Sequence, residues 1–300
     1  HASAVVIASL IAGQPVLLEG PAAVGKTSLI EELARAARTR GGMAGGVGAA
    51  APGSGELVER VQNSDTTSVA EYLGAFTTRG GGFTFRPGAL HRAMTRGAFF
   101  LADELNLAEP GVLAMLFPLL EGRGYITVPG TGEVIRAHRD FRFYATQNSA
   151  SYAGRRKLPP QLRNRFVVVQ VPEFTVDELD AIIKKRRDKR LDGGVATVAT
   201  ATYAACTTHA GDMARLYRDL SVRGEARITL REIVKWQRRV ACIVLGSGGR
   251  DVSAMVPAVG LAFLAGRHTL GSTAAREVST LFAKTWPRLV DVASAVAATA

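Results

Sequence analysis

The octapeptide Gly20-Pro21-Ala22-Ala23-Val24-Gly25-Lys26-Thr27 decides the fold of this chain. It follows the apolar run Pro15-Val16-Leu17-Leu18-Glu19 and opens into a helix-forming stretch over 26–38, so a glycine loop stands between a strand and a helix N-terminus. In that arrangement backbone N–H groups wrap the β- and γ-phosphates of a nucleotide, and the helix dipole favours their negative charge. The expected cradle is Gly20, Pro21, Ala22, Ala23, Val24, Gly25, Lys26, Thr27 and Ser28. Lys26 is expected to bridge the β- and γ-phosphates, and the Thr27 hydroxyl to ligate Mg2+.

Downstream, Ala98-Phe99-Phe100-Leu101-Ala102 is short, wholly apolar and ends in Asp103-Glu104, as a parallel strand buried on both faces does. Open α/β sheets bind ligands at the carboxyl ends of such strands. Asp103 is therefore a candidate for holding the magnesium-water shell and Glu104 for polarising the attacking water. A third strand over 141–145 leads through Thr146-Gln147 to Asn148, an amide placed to orient that water. Before a fourth apolar strand at 166–171 stand Arg163 and Arg165, and guanidinium is the natural group for stabilising charge on a transferring phosphoryl. Spacing alone does not choose between them. Arg231, at a predicted helix start, is a candidate for reaching back to the phosphates, with Arg227 as its rival.

Strands alternate with helices up to residue 172, which predicts a parallel sheet covered by helices. Residues 125–128 and 134–137 flank Pro129-Gly130-Thr131-Gly132-Glu133 and read as a β-hairpin. Residues 41–55 are almost entirely glycine and alanine and read as a flexible insertion. Beyond Pro172 only helical patterns remain, at about 175–190, 195–221, 229–245, 252–268 and 273–298. Thr229-Leu230-Arg231-Glu232 has the capping-box form. The expected organisation is an α/β P-loop core over 1–172 and an all-helical lid over 173–300.

Composition narrows the class. Hydrophobic residues make up 47% of the 300, which marks a globular chain. The net charge of +11 permits contact with RNA or acidic protein surfaces, and its sharpest cluster is Lys184-Lys185-Arg186-Arg187-Asp188-Lys189-Arg190. A solvated helix face explains that cluster equally well. Cys206 and Cys242 have neither a metal-ligand nor a disulfide spacing, favouring a reducing compartment. The apolar stretch over 4–18 is broken by Gly13, Gln14 and Pro15, so no membrane association is expected. A start at His1 and an end inside an alanine-rich pattern read as a segment of a longer polypeptide.

With these pieces in order, the chain resembles the AAA+ superfamily, and within it the dynein-related, midasin-like branch. The resemblance rests on the P-loop, on Phe83-Thr84-Phe85-Arg86-Pro87-Gly88-Ala89-Leu90, and on Phe100-Leu101-Ala102-Asp103-Glu104-Leu105-Asn106-Leu107-Ala108. It continues through His138-Arg139-Asp140-Phe141-Arg142-Phe143-Tyr144-Ala145-Thr146-Gln147-Asn148 and Gly154-Arg155-Arg156-Lys157-Leu158-Pro159 to Arg165-Phe166. It implies a Walker A loop at 20–27, a Walker B pair at Asp103-Glu104 and a first sensor at Asn148. It also implies an arginine finger at Arg165, with Arg163 second, and a second sensor at Arg231 in preference to Arg227. Residues 63–95 are similar to the branch's insertion in the second helix, and the hairpin at 125–137 to its pre-sensor insertion. The 41–55 stretch is not part of the pattern.

The midasin-like resemblance further implies an ATPase using ATP and Mg2+, with adjacent AAA+ modules forming a six-module ring. Its implied task is remodelling large-ribosomal-subunit precursors and releasing their assembly factors in the nucleus. MoxR-type chaperones, built from separate subunits, share very similar Ala-Asp-Glu and Ala-Thr-Gln-Asn elements and form the alternative. A structural ATP-binding module with little turnover is a further one. A helicase fits less well, because aromatic stacking platforms for single strands are not evident.

Overall fold

The computed structural model describes residues 2–39, 57–79, 82–129, 131–148, 157–185, 206–222, 228–246, 255–265, 267 and 272–286. The 41–55 stretch, Arg227, Gly154-Arg155-Arg156 and residues 186–190 of the basic cluster lie outside the described residues. The chain divides into two compact units, residues 1–173 and 174–300.

Five strands build the sheet of the first unit: β1 (Val16–Gly20), β2 (Val58–Gln62), β5 (Phe99–Asp103), β8 (Arg142–Asn148) and β9 (Val167–Gln170). Their order is β2-β5-β8-β1-β9, and every pairing is parallel. Side chains alternate between the faces of a strand, so a strand covered on both sides must be apolar at consecutive positions. On β1, Val16 and Leu18 join a core with Ile30, Ala34, Leu101 and Tyr144, while Leu17 points to the opposite core with Phe100, Ala102 and Phe143. Helix α2 (Lys26–Thr39) supplies the first of these layers through Ile30 and Ala34, one helical turn apart. Helices α3 (Val69–Leu73), α4 (Ala89–Arg96) and α5 (Pro110–Leu120) contribute Leu73, Leu90 and Leu116 to the second.

Two strands extend further than sequence patterning places them. Asp103 ends β5 inside the ladder, opposite Gln62, and β8 continues to Asn148, paired with Gly20. Backbone pairing with the neighbouring strand sustains both ends where the side chains have already turned polar. Within the 63–95 segment the structure adds an antiparallel pair for which the sequence carries no strand pattern, β3 (Gly74–Arg79) with β4 (Gly82–Pro87). A second small hairpin pairs β6 (Tyr125–Thr127) with β7 (Val134–Arg136). Helix α1 (Ala2–Ala12) precedes the sheet, and the short α6 (Pro160–Arg163) leads into β9.

Among the described residues the second unit is helical: α7 (Val176–Lys185), α8 (Ala210–Val222), α9 (Leu230–Gly246), α10 (Val256–Ala265) and α11 (Thr273–Thr285). A turn at His209 interrupts what the sequence predicts as one helix over 195–221. Its core centres on Trp236, which is fully buried, stacks near Phe282 at 5.6 Å and donates its indole N–H to the Val256 carbonyl at 2.7 Å. At the start of α9 the Glu232 carboxylate accepts the Thr229 N–H at 2.9 Å, one half of the expected capping box; the Glu232 N–H goes to the Thr229 carbonyl at 2.9 Å and not to its hydroxyl. The Thr229 hydroxyl donates to the same carboxylate. No helix among the described residues is long and apolar enough to cross a membrane.

Candidate nucleotide site

The carboxyl ends of β1, β5 and β8 lie along one edge of the sheet, because Gly20 is in register with Asn148, and Ala102 with Ala145. From β1 the chain leaves toward β2 at one edge of the sheet, and from β8 toward β9 at the other. Divergence of this kind opens a crevice at the strand ends. The loop 20–25 fills the mouth of that crevice. A Cβ at position 20 would stand 2.2 Å from the Val171 carbonyl oxygen, so only glycine fits where the strand turns into the loop.

Ala23 (φ 64°) and Gly25 (φ 82°) are both left-handed, the backbone alternation that folds successive N–H groups into an anion-binding nest. Glycine adopts it freely, whereas alanine is held there at a cost of about 1–2 kcal/mol. Lys26 is buried at the first position of α2. Its ammonium donates to the carbonyls of Gly20 at 2.8 Å and Pro21 at 2.6 Å, and to Asn148 Oδ1 at 2.9 Å.

The other face of Asn148 completes a chain of contacts. Its Nδ2 donates to Glu104 Oε1 at 2.7 Å, so a cation on one side and a carboxylate on the other orient the amide. Glu104 itself is left-handed, at φ 52° and ψ 46°. Strain of this type persists where surrounding contacts over-determine the backbone. Here the Glu104 N–H is held by the Thr146 hydroxyl at 3.1 Å.

Asp103 is buried, and both its carboxylate oxygens and its carbonyl are tied down. Thr146 donates its hydroxyl to Oδ1, Thr27 donates to Oδ2 at 3.2 Å, and the Arg60 guanidinium donates to Oδ2 as well. The Asp103 carbonyl accepts both the backbone N–H and the side-chain Nδ2 of Asn63, each at 2.9 Å. Asn63 is in turn fixed by the hydroxyl of the fully buried Tyr72 at 2.8 Å. A threonine hydroxyl beside one carboxylate oxygen is an all-oxygen donor pair. It suits Mg2+, which keeps several waters and takes only one or two protein carboxylates together with phosphates. Among the described residues no group of three His, Cys, Asp or Glu side chains could hold a metal in a protein-only cage.

Two of the remaining candidates are paired with acids of the same unit. Arg163 forms a two-pronged pair with Glu19 of β1, Nε to Oε1 at 2.8 Å and Nη2 to Oε2 at 2.9 Å. Gln147 and Gln170 add to the same carboxylate at 3.0 and 2.5 Å. The Arg163 guanidinium holds the Glu19 carboxyl below its ordinary range; burial works against it and Gln170 assists. Arg165 donates to Glu121 Oε1 at 2.5 Å and to the Gln161 carbonyl at 2.7 Å, and lies 4.9 Å from the Phe117 ring centroid. Ser28 is exposed on the first turn of α2. Arg231 is exposed on the first turn of α9, within the second unit.

Residues 15–166 match the AAA domain of the dynein-related subfamily. The chain belongs to that family. Midasin of Dictyostelium discoideum is 37% identical over 174 residues, covering 57% of this chain and 3% of that protein. Midasin of Giardia intestinalis is 34% identical over 188 residues, covering 61% of this chain and 4% of that protein. An uncharacterized Bacillus subtilis protein, YojN, is 32% identical over 196 residues, covering 62% of this chain and 57% of its own length. The chain thus spans a small part of the midasins it matches and a little over half of the bacterial relative.

AAA domains are, as a family, nucleotide-hydrolysing ATPases that bind ATP, usually with Mg2+. In this AAA module the sequence pattern marks Lys26, Thr27, Asp103, Glu104 and Asn148, and the structure brings all five to one strand edge. It also shows what the pattern passed over: Thr146, Asn63, Tyr72 and Arg60, which set the position and charge of Asp103. Thr146 sits inside the quoted Ala-Thr-Gln-Asn element, and a hydroxyl facing an acidic strand end is its signal. Nothing in the local sequence marks Arg60, whose place depends on β2 pairing with β5.

Proposed function

We propose that this AAA module binds Mg2+ and ATP in the 20–28 cradle and hydrolyses the nucleotide with Glu104. The observation that carries the reading is the continuous contact chain Lys26–Asn148–Glu104 beside Thr27–Asp103–Thr146. Lys26 binds the β- and γ-phosphates, and Gly20 to Gly25 present backbone N–H groups to them. Thr27 and Asp103 are the residues that would hold Mg2+, which when bound neutralises charge building on the phosphates. Glu104 accepts a proton from the attacking water, and Asn148 keeps the Glu104 carboxylate and that water aligned.

Arg165 is the arginine finger for a neighbouring module, with Arg163 second, as the AAA+ resemblance implies; both pair inside their own module, Arg163 through two bonds to the buried Glu19 and Arg165 to the more exposed Glu121. Arg231 serves as the sensor from the helical unit. Similarity to the midasins supports a ring of six such modules that remodels large-ribosomal-subunit precursors and releases their assembly factors in the nucleus. The Bacillus relative, matched over 57% of its length, favours a second reading: a chaperone ring of separate MoxR-like subunits.

Equilibrium binding of ATP and GTP by the wild type and Lys26→Ala tests the nucleotide reading. ATP binding that Lys26→Ala abolishes supports it, and undiminished binding by Lys26→Ala contradicts it. Sedimentation of the intact protein with ATP separates the readings of assembly: identical subunits joining on nucleotide addition favour the chaperone, and one long chain enclosing the ring favours the midasin-like form.

A further inference from the structure

Arg60 lies on β2, two residues before Gln62, which is the register partner of Asp103. Its Nη2 donates to Asp103 Oδ2 and, at 2.8 Å, to Gln62 Oε1. Asp103 Oδ1 is taken by Thr146, so the oxygen that Arg60 occupies is the one that also faces the Thr27 hydroxyl. A cationic side chain thus stands at the carboxylate oxygen where Mg2+ and its waters would be anchored.

We propose that Arg60 is a counter-cation of Asp103 that is exchanged for Mg2+ on loading. The inference rests on the reading of Thr27 and Asp103 as the magnesium residues. Three features of the geometry support it. Asp103 is only 8% exposed, and a buried carboxylate needs a positive partner, which either a guanidinium or a metal ion can supply. A divalent ion placed between Thr27 and Asp103 would lie against the guanidinium, and like charges in a site shielded from water repel strongly. Finally, Arg60 has space beside it: it lines a cavity of about 530 Å³ at the base of the β3–β4 hairpin, whose wall carries Gln62, Glu71 and Thr77 and also the cations Arg86 and Arg92. Its side chain is 41% exposed, so leaving Asp103 does not require the core to open.

The exchange makes Arg60 a competitor of Mg2+ and sets how much free Mg2+ the module needs before nucleotide binds tightly. The test is binding of a fluorescent ATP analogue, measured in EDTA and through a Mg2+ titration, for wild type, Arg60→Gln and Arg60→Lys. Arg60→Gln lowers the half-saturating Mg2+ concentration by roughly two- to fivefold, the range expected for a partly exposed ion pair, with each variant referred to its own affinity in EDTA. Arg60→Lys keeps a cation without the planar fork and gives a smaller shift of the same sign. Should Arg60→Gln fail to fold by circular dichroism, Arg60→Lys carries the same comparison. An unchanged or raised Mg2+ requirement with analogue binding intact overturns the proposal alone. A wild type that binds no analogue overturns the nucleotide reading beneath it.

Discussion

Thr146 holds two acids at once, giving its hydroxyl to Asp103 Oδ1 and accepting the Glu104 N–H. Replacing it with valine keeps the shape and removes both bonds. Partners of metal-holding carboxylates are worth 10- to 100-fold in affinity or activity. Thr146→Val is therefore expected to lower Mg2+-dependent ATP turnover by about that factor while nucleotide binding in EDTA persists; equal loss of both contradicts it. Glu19 and Arg163 make a second prediction. The native Glu19 carboxyl titrates below its ordinary value of 4.5, so the pair's contribution to stability is complete above that value. It is lost as pH falls from 4.5 through the lowered native value, where the unfolded chain binds the proton first. Wild-type stability, followed by circular dichroism on acidification, is expected to fall more steeply than that of Glu19→Gln; parallel curves would rule this out. At this scale the cradle and the acidic pair were legible because a short loop must use glycine, lysine and threonine at set positions. Ala23 was not, since alanine carries no sign of the left-handed backbone it adopts. Asn63 and Tyr72 were not either, because their role appears only when β2 lies beside β5.

The elements that position the site were legible where burial imposes a pattern. Doubly covered strands read as apolar runs; their ends differ from the pattern where backbone pairing outlasts the apolar side chains, as at Asp103 and Asn148, and β9 is a residue shorter at each end than the run over 166–171. The β3–β4 hairpin had no such signal, for β4 is largely exposed on both faces and Phe83 is 80% exposed. Its Phe, Thr and Gly content was a propensity clue without a periodicity to support it. In the helical unit, the match of α9 to α10 gives a prediction proper to elements. A Cβ at Gly260 would stand 2.2 Å from the Trp236 ring, which is itself pinned through Val256. Gly260→Ala is expected to destabilise this unit by about 1–3 kcal/mol through overpacking. Both tryptophans of the chain, Trp236 and Trp286, lie in this unit, so fluorescence-monitored denaturation reports it without the sheet contributing. An unchanged midpoint would show that α10 can shift away at no cost.

For the whole molecule, the fold class and family were legible from the order of motifs along 15–166, and the match to the dynein-related AAA domain rests on the same stretch. The assembly was not, because an arginine such as Arg165 carries no mark in the sequence of a neighbour it would meet. The central claim is that this module is a working hydrolytic site and not a silent one. It is tested most directly by steady-state ATP turnover of the intact protein, wild type against Glu104→Gln, with ATP binding measured alongside. Retained binding and a loss of turnover of roughly 10²-fold or more are expected, since Glu104→Gln removes only the base that activates water. Turnover unchanged by Glu104→Gln would contradict the claim.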